Sequence, residues 1–279
     1  MSSQDADEAP VARDGVSRLA TGTRKAIWGL FFAAYMVVWT GLWLPDLPVI
    51  PAKWWDGLLL LLGTLLALSE LARELPTQNV VMAAVIIAGI AGLSQYLAML
   101  AGVDVGRSDA RWLLLPGWIV AVLASRGTAR LILRRWRNRA DYGFWLLGLS
   151  ALLLLVLDLG WEPFATEVRG YQIWNRSGTI SGWYGVPWRH FLVSGVVAML
   201  SLVSIAPALI NKKPVASQTG WLAAGRSCPG STVLWLSANL LFLTGLTRHN
   251  LWLAAALVGL SLVAVALVTA LARVPRGSA

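Results

Sequence analysis

The fifth apolar run of the chain, YGFWLLGLSALLLLVLDLGWEP at residues 142–163, decides the fold. Residues 142–157 contain no charged side chain, and Asp158 is the first acid to interrupt the run. A helix needs roughly 20 predominantly apolar residues to cross a bilayer. The run is continuous rather than alternating, which favours a helix over a membrane strand. It therefore predicts a membrane-spanning helix that ends in a polar patch.

Composition extends this prediction to the whole chain. The 279 residues are 57% hydrophobic and 13% charged, whereas a soluble domain carries roughly 25% charge; the mean hydropathy is +0.64. We predict an all-α, polytopic transmembrane helical bundle with about eight spans, and seven as the alternative. The candidate runs lie at about 26–44, 54–69, 79–101, 111–125, 142–160, 188–210, 231–247 and 251–272.

The formal net charge of +9 would suggest a nucleic-acid partner in a soluble protein. In a membrane protein, Arg-rich cytoplasmic loops explain it, so we expect the lipid bilayer as the partner and no nucleic acid. With a cytoplasmic N-terminus, sixteen of the 23 Lys and Arg residues fall in cytoplasmic segments. Eight spans then place the C-terminus in the cytoplasm too, and we expect a multi-pass protein of the inner (cytoplasmic) membrane of a bacterium.

The polar segments divide the chain. Residues 1–22 are small, polar and mixed in charge, which predicts a disordered cytoplasmic tail. Residues 23–273 form one transmembrane domain, and 274–279 a second tail. The run RGTARLILRRWRNR at 126–139 carries six Arg and is typical of a basic amphipathic helix lying on the membrane surface.

Metal and disulfide chemistry find little support in the sequence. Cys228 is the one cysteine, so no internal disulfide forms and no CxxC pattern exists. His190 and His249 are the two histidines, too few for a His-rich metal site. We therefore expect no metal and no other cofactor.

Acidic side chains collect in the connection at 158–191, which the charge distribution places outside the cytoplasm. If the fifth helix runs on to Glu162, the carboxyl groups of Asp158 and Glu162 share one face. Pro163 suits the first turn of a new short helix that carries Glu167. Ionisable groups beside a span are costly and tend to be functional, although pairing with arginine is the alternative. His190 is either a proton relay, a water-positioning group or a structural histidine.

The same connection is rich in aromatic side chains. It is also long for a compact bundle, which indicates that it folds back onto the bundle or into the membrane interface. The rings either form an interfacial belt or line a slot for a long apolar ligand, where they could stabilise a cation. The candidate substrate-binding residues are Tyr171, Trp174, Trp183, Tyr184, Pro187 and Phe191.

These residues carry a family resemblance over about 35 positions. The stretch DLGWEPFATEVRGYQIWN followed by GWYGVPWRHF resembles the membrane-embedded carotenoid biosynthesis proteins of the bisanhydrobacterioruberin hydratase type, also described as carotenoid 1,2-hydratases. His190 departs from the family pattern, which has Asn there, and Val193-Ser194-Gly195 replaces a Gly-Trp pair. The matching residues are Asp158, Glu162, Pro163, Gly170, Tyr171, Trp174, Tyr184, Gly185, Val186, Pro187 and Phe191.

The resemblance implies hydration of a terminal C=C bond in an acyclic carotenoid end. A carboxylic acid, Asp158 or Glu162, protonates the alkene to a tertiary cation. Water held by Glu167 or His190 then adds to that cation. The implied substrate is an apolar polyene or other polyprenoid, no cofactor takes part, and other enzymes of the carotenoid pathway are expected partners.

Two alternatives stay open at this stage. A lycopene cyclase-like membrane enzyme would share the protonation step but close a ring and lose a proton. A non-catalytic protein for membrane assembly or polyprenyl-lipid transport would instead pair its acids with Arg169, Arg176 or Arg189 and have no lipid-accessible slot. The sequence leaves the oligomeric state and the side of water entry undetermined.

Overall fold

The computed structural model describes residues 9–44, 52–100, 111–171, 182–209 and 229–273. Within these ranges the chain is almost wholly helical. Three short 3₁₀ turns at Arg111–Leu113, Leu133–Trp136 and Pro207–Leu209 flank the long helices. The long helices are α1 (Ala9–Trp43), α2 (Ala52–Ala72), α3 (Thr77–Leu100), α4 (Leu114–Ile132), α5 (Tyr142–Pro163), α6 (Trp188–Ile205), α7 (Pro229–Arg248) and α8 (Trp252–Arg273).

The predicted all-α membrane bundle is confirmed. Seven helices of the described chain are long and apolar enough to cross a membrane, and α4 is the helix outside that set. Helix α4 nevertheless runs alongside α2 over its length. Positions that approach each other are Gly57 and Trp112, Gly63 and Val120, and Glu74 and Arg130. Because α2 is long and apolar enough to span, its parallel neighbour α4 would cover a similar thickness. Eight helices with seven candidate spans agree with the predicted seven or eight crossings.

Helix α4 holds a central place because its residues are small. It packs against α2, α3, α5, α7 and α8, and the run from Val122 to Ala129 is buried except at Arg126. A Cβ at Gly127 would lie 2.3 Å from the Ser231 Cβ on α7. The prediction that 126–139 forms a surface helix is therefore wrong for its first part, which is the buried end of α4.

Helix α1 begins earlier than the sequence suggests. Its first residue is Ala9, and the disordered tail at 1–22 stays a prediction. Pro10 falls in the first turn, where its missing N–H costs no hydrogen bond. The helix then continues into the span, whose candidate segment is Gly22–Trp43. Residues 1–8 and 274–279 of the predicted tails lie outside the described residues.

Helix α5 does not stop before Pro163. The helix includes Pro163 and passes directly into a π-helical turn at Phe164–Val168, so no separate short helix starts there. Arg169 N–H donates to the Phe164 carbonyl at 3.0 Å, a bond that closes the wider turn. Turns of this kind occur mostly as single interruptions and often lie at functional sites.

A two-residue hairpin leads into α6. Strands β1 (Gly182–Trp183) and β2 (Val186–Pro187) pair antiparallel, with Gly182 opposite Pro187. Tyr184 and Gly185 both have positive φ, 49° and 82°, as the tightest hairpin turns require. We call the end of the bundle where α5 ends and α6 begins the site end.

The opposite end carries ion pairs. Buried Glu70 lies 3.5 Å from Arg24 and 3.1 Å from Arg73, and Glu74 pairs with Arg130. Gly230 at the start of α7 packs against the Glu70 side chain, where a Cβ would lie 2.8 Å from its Cδ. These contacts join α1, α2, α4 and α7 at the end remote from the candidate site.

Candidate active site

Three ionisable side chains meet where α5 and α6 face each other. His190 Nε2 lies 3.1 Å from Glu162 Oε1 and 3.6 Å from Asp158 Oδ2. The Ser194 hydroxyl, one turn further along α6, is 3.3 Å from the same nitrogen. A single ring nitrogen carries at most one proton, so it can give a full hydrogen bond to only one of the two carboxyl groups at a time. We call Asp158, Glu162 and His190 the acid–histidine trio.

Local structure places the trio. Asp158 and Glu162 are four residues apart on continuous helix and share a face, as predicted. Pro187 has extended backbone and begins α6, which brings His190 into its first turn. The Trp183 indole N–H donates to the Leu159 carbonyl at 2.9 Å and so fastens the hairpin to α5 between the two acids.

The two acids differ in their surroundings. Glu162 is fully buried, whereas Asp158 is partly buried. Among the described residues, the buried Oδ2 of Asp158 has no hydrogen-bond partner. Unpartnered buried polar atoms are rare and call for an explanation. Here the neighbouring group is His190 Nε2, which at 3.6 Å lies just beyond hydrogen-bond distance of this oxygen.

A cavity of about 850 Å³ opens beside the trio. Its walls are mostly aliphatic and aromatic side chains from seven of the helices, α1 to α7, and Asp158, Glu162 and His190 all line it. Pockets of this size and character suit apolar small molecules held by a few polar groups. The arrangement can hold and pass protons at one place in an otherwise apolar chamber.

An aromatic cluster forms one wall of the cavity. Trp161 follows directly on Gly160, and its ring centroid lies 5.8 Å from that of Phe242 on α7. Phe164 packs 5.3 Å from the same ring. All three rings line the cavity. Aromatic faces attract cations. The sequence predicted other aromatic residues for the lining of the ligand site.

The acid Asp56 is a site residue that sequence reasoning missed. It lies in the first turns of α2, is buried, and lines the same cavity. Arg169 forms an ion pair with it: Nη2 donates a hydrogen bond to Oδ1 at 3.0 Å, and Nε lies 2.9 Å from Oδ2 without hydrogen-bond geometry. The Tyr171 hydroxyl donates to Oδ2 at 2.6 Å. An acid in the opening turn of a span, WWDGLLL, was the available signal.

The remaining predicted site residues divide into several groups. Pro187 lines the cavity, but Glu167 is exposed and lies outside its lining. Tyr171 acts on Asp56 instead of on the cavity. Trp174 lies outside the described residues.

The aromatics around the hairpin have structural roles. The Tyr184 hydroxyl accepts hydrogen bonds from Leu253 N–H at 3.1 Å and Ala254 N–H at 3.3 Å, at the start of α8. Phe191 is buried, and its ring meets the His190 ring edge-on at 5.4 Å. Neither side chain lines the cavity, nor does Trp183. These residues hold the trio and the hairpin in place.

The trio also has the composition of a metal site. Its ligand atoms lie within 4.8 Å of one another, and two carboxylates with one imidazole could hold a divalent cation. The expectation that the protein uses no metal remains a prediction.

Comparison with known families decides the membership of the chain. The family described as "Carotenoid biosynthesis protein" matches residues 113–266, more than half of the chain. The chain belongs to this family. No curated protein and no solved structure gives a match.

The carotenoid biosynthesis match covers the trio. It runs from the residue before α4 into α8, so it includes Asp158, Glu162 and His190. It leaves out α1, α2 and α3, and hence Asp56. Membership gives this multi-pass membrane protein a role in carotenoid biosynthesis. The resemblance seen in residues 158–191 is thereby confirmed at the level of the family.

Proposed function

We propose that the protein is an integral membrane hydratase that adds water across a terminal C=C bond of an acyclic carotenoid end. The observation that carries the proposal is the acid–histidine trio on the wall of a large apolar cavity. Carotenoid biosynthesis supplies long polyene substrates to a family member. Protonating an unactivated alkene requires an acid in an apolar chamber, together with a group that holds water.

Asp158 is the candidate proton donor in this proposal. Asp158 lines the cavity and is less buried than Glu162, which favours it as the acid that gives its proton to the substrate. The O–H bond of the acid breaks, and a C–H bond forms at the less substituted alkene carbon. The π electrons make that bond and leave a tertiary cation on the neighbouring carbon.

Water then completes the addition. We assign Glu162 and His190, which lie 3.1 Å apart, to hold the water molecule. Its oxygen forms a C–O bond with the cation, and the proton it releases passes to this pair and returns to Asp158. The rings of Trp161, Phe164 and Phe242 stabilise the cation while it lasts. The net change is one water molecule added to the polyene.

The test uses amide variants in a bacterial host that makes an acyclic carotenoid. Asp158→Asn keeps the shape of the side chain but removes the acid, and we expect hydration to fall by roughly 10²–10⁴-fold, the usual contribution of a general acid. Glu162→Gln should also lower it strongly. Glu167→Gln is the matched control, because Glu167 is an exposed acid a turn away from the site. Extracted pigments are measured by chromatography and mass.

Isotopes report the reaction itself. Hydration in water labelled with heavy oxygen puts one labelled hydroxyl on the product, and deuterated water adds one C–D bond. Full hydration by folded Asp158→Asn and Glu162→Gln proteins would remove the trio from the mechanism. A product of unchanged mass would assign the alternative, cyclisation.

The non-catalytic alternative makes structural expectations that differ from these contacts. It requires the acids at 158–167 to pair with arginine. Asp158 and Glu162 both contact His190, and Arg169 binds Asp56. These contacts support an enzyme over a passive carrier.

The charge distribution of the chain supports a location and an orientation for the enzyme. We propose the cytoplasmic membrane of a bacterium, with the site end of the bundle on the non-cytoplasmic side, because most Lys and Arg fall at the other end. Reporter fusions after α2 and after α5 test this orientation: the first should report the cytoplasm, the second the opposite side.

A further inference from the structure

Helix α3 is packed along only half of its length. Its buried residues are Val80, Ala83, Ile87 and Ala91, and none of residues 92–100 is buried. The packed half is also fastened to the segment after α6, where the Asn79 amide donates to the Ala208 carbonyl at 2.7 Å. The half of α3 nearer the site end therefore stands away from the bundle.

The space beside this half belongs to the cavity that holds the trio. Leu93 and Leu97 on α3 line the cavity, as do Val193 and Leu200 on α6. These four side chains are also between 53% and 57% exposed. A residue that lines a cavity and is half exposed lies at its opening. The cavity is thus open to the side between α3 and α6, on a surface that faces hydrocarbon in a membrane.

The opening has the length of an extended chain. Cavity-lining residues on α6 run from Arg189 to Ser204, which at 1.5 Å per residue is about 22 Å. The trio lies at one end of this distance, at the site end of the bundle. The hydrocarbon core of a bilayer is about 30 Å thick, so the opening extends across much of this thickness. We call this opening between α3 and α6 the slot.

We propose that the slot between α3 and α6 binds the unreacted part of a long polyene, which enters sideways from the bilayer. The chain lies along α6, and its terminal C=C bond reaches the trio. The reaction of this C=C bond at the trio rests on the proposed function. A rod-like polyene aligned across the bilayer places its end near an interface, which is where the trio lies. The lining of the slot is nearly apolar, so a polyene that moves from the lipid into the slot remains in apolar surroundings.

Photocrosslinking tests the occupancy of the slot without relying on catalysis. A benzophenone amino acid replaces Leu97 or Val193, which line the slot, in membranes that contain the acyclic carotenoid. Matched controls replace Leu100 and Leu192, which are exposed on the same two helices but do not line the cavity. The full-length chain carries Asp158→Asn, so substrate is not consumed. We expect polyene adducts at Leu97 and Val193, and several-fold fewer at Leu100 and Leu192.

A second measurement follows turnover in the otherwise unaltered protein. Val193→Trp fills the slot, and we expect conversion to fall by roughly tenfold, because forcing extra volume into a fitted site costs on that order. Leu192→Trp should leave conversion unchanged, since its side chain faces lipid. Both proteins are compared at equal folded amounts in the membrane.

The outcomes separate the two proposals. Polyene adducts at all four positions alike, or phospholipid adducts in place of polyene adducts at Leu97 and Val193, would contradict the binding of polyene in the slot, even if hydration is observed. Slot-specific polyene adducts without a hydrated product from the native chain would support the slot and overturn the hydratase.

Discussion

The buried ion pair between Asp56 and Arg169 should be a main source of stability at the site end. The side chains of Arg169 and Asp56 are only 10% and 8% exposed, and Arg169 Nη2 donates a hydrogen bond to Asp56 Oδ1. Removing one member leaves the other charge buried without compensation, which costs about 3–5 kcal/mol. We therefore expect Asp56→Asn and Arg169→Gln each to lower the free energy of unfolding by that amount.

The double variant isolates the interaction. With both charges gone, no unpaired ion remains, so Asp56→Asn combined with Arg169→Gln should be no less stable than either single variant. That outcome corresponds to a coupling free energy of about 3 kcal/mol, at the upper end of the usual range. Tyr171→Phe removes one hydrogen bond to the carboxylate and should cost about 1.5–3 kcal/mol.

Equilibrium unfolding in mixed micelles measures these differences. The loss of helical signal on titration with a denaturing detergent gives the free energy for each variant. Asp141→Asn is the control, because this exposed acid accepts a bond from Trp145 at the surface, and its loss should cost less than about 0.5 kcal/mol. A coupling free energy near zero between Asp56 and Arg169 would refute the reasoning, since it would mean that water screens the pair.

Two further predictions concern packing. Tyr184→Phe removes the acceptor of two N–H groups at the start of α8, so it should lower the free energy of unfolding by about 1 kcal/mol in the same assay. Unchanged pigment conversion by this variant would separate this structural role from the predicted contact with the cation. Gly127→Ala places a Cβ against Ser231 and should destabilise the protein by about 1–3 kcal/mol. Gly117→Ala is the control, because a Cβ at this position on the same helix has nothing within 4 Å, and it should not destabilise the protein. Equal effects of the two substitutions would contradict the close contact between α4 and α7.

The site could be predicted only in part. The spacing of Asp158 and Glu162 predicted a shared face, and both acids do meet His190. Glu167 lies five residues beyond Glu162, and the π-helical turn that begins at Phe164 changes its direction relative to the preceding helix. A widened turn of this kind is not visible in residue spacing, so the sequence offered no means to separate Glu167 from the other acids.

The aromatic residues were harder to assign. Trp and Tyr suit membrane interfaces, cavity walls and hydrogen-bonded caps equally well, because each ring is apolar with one polar atom. Tyr184 caps α8, Trp183 fastens the hairpin, and Trp161 faces the cavity. The partners of these rings come from other helices, so only the assembled bundle distinguishes their roles.

The sequence by itself determined that the chain is a bundle of membrane helices, because long apolar runs can be stable in lipid only as helices with satisfied backbone groups. It also indicated the acidic stretch around Asp158 as the candidate site. The contact of His190 with Asp158 and Glu162 was decided by the packing of α6 against α5. The tertiary structure alone decided which helices are neighbours. In a soluble helix the polar face marks the outside, but here nearly every face is apolar, so the pattern does not show which side packs. The pairing of Asp56 with Arg169 across 113 residues and the open slot between α3 and α6 both depend on that packing.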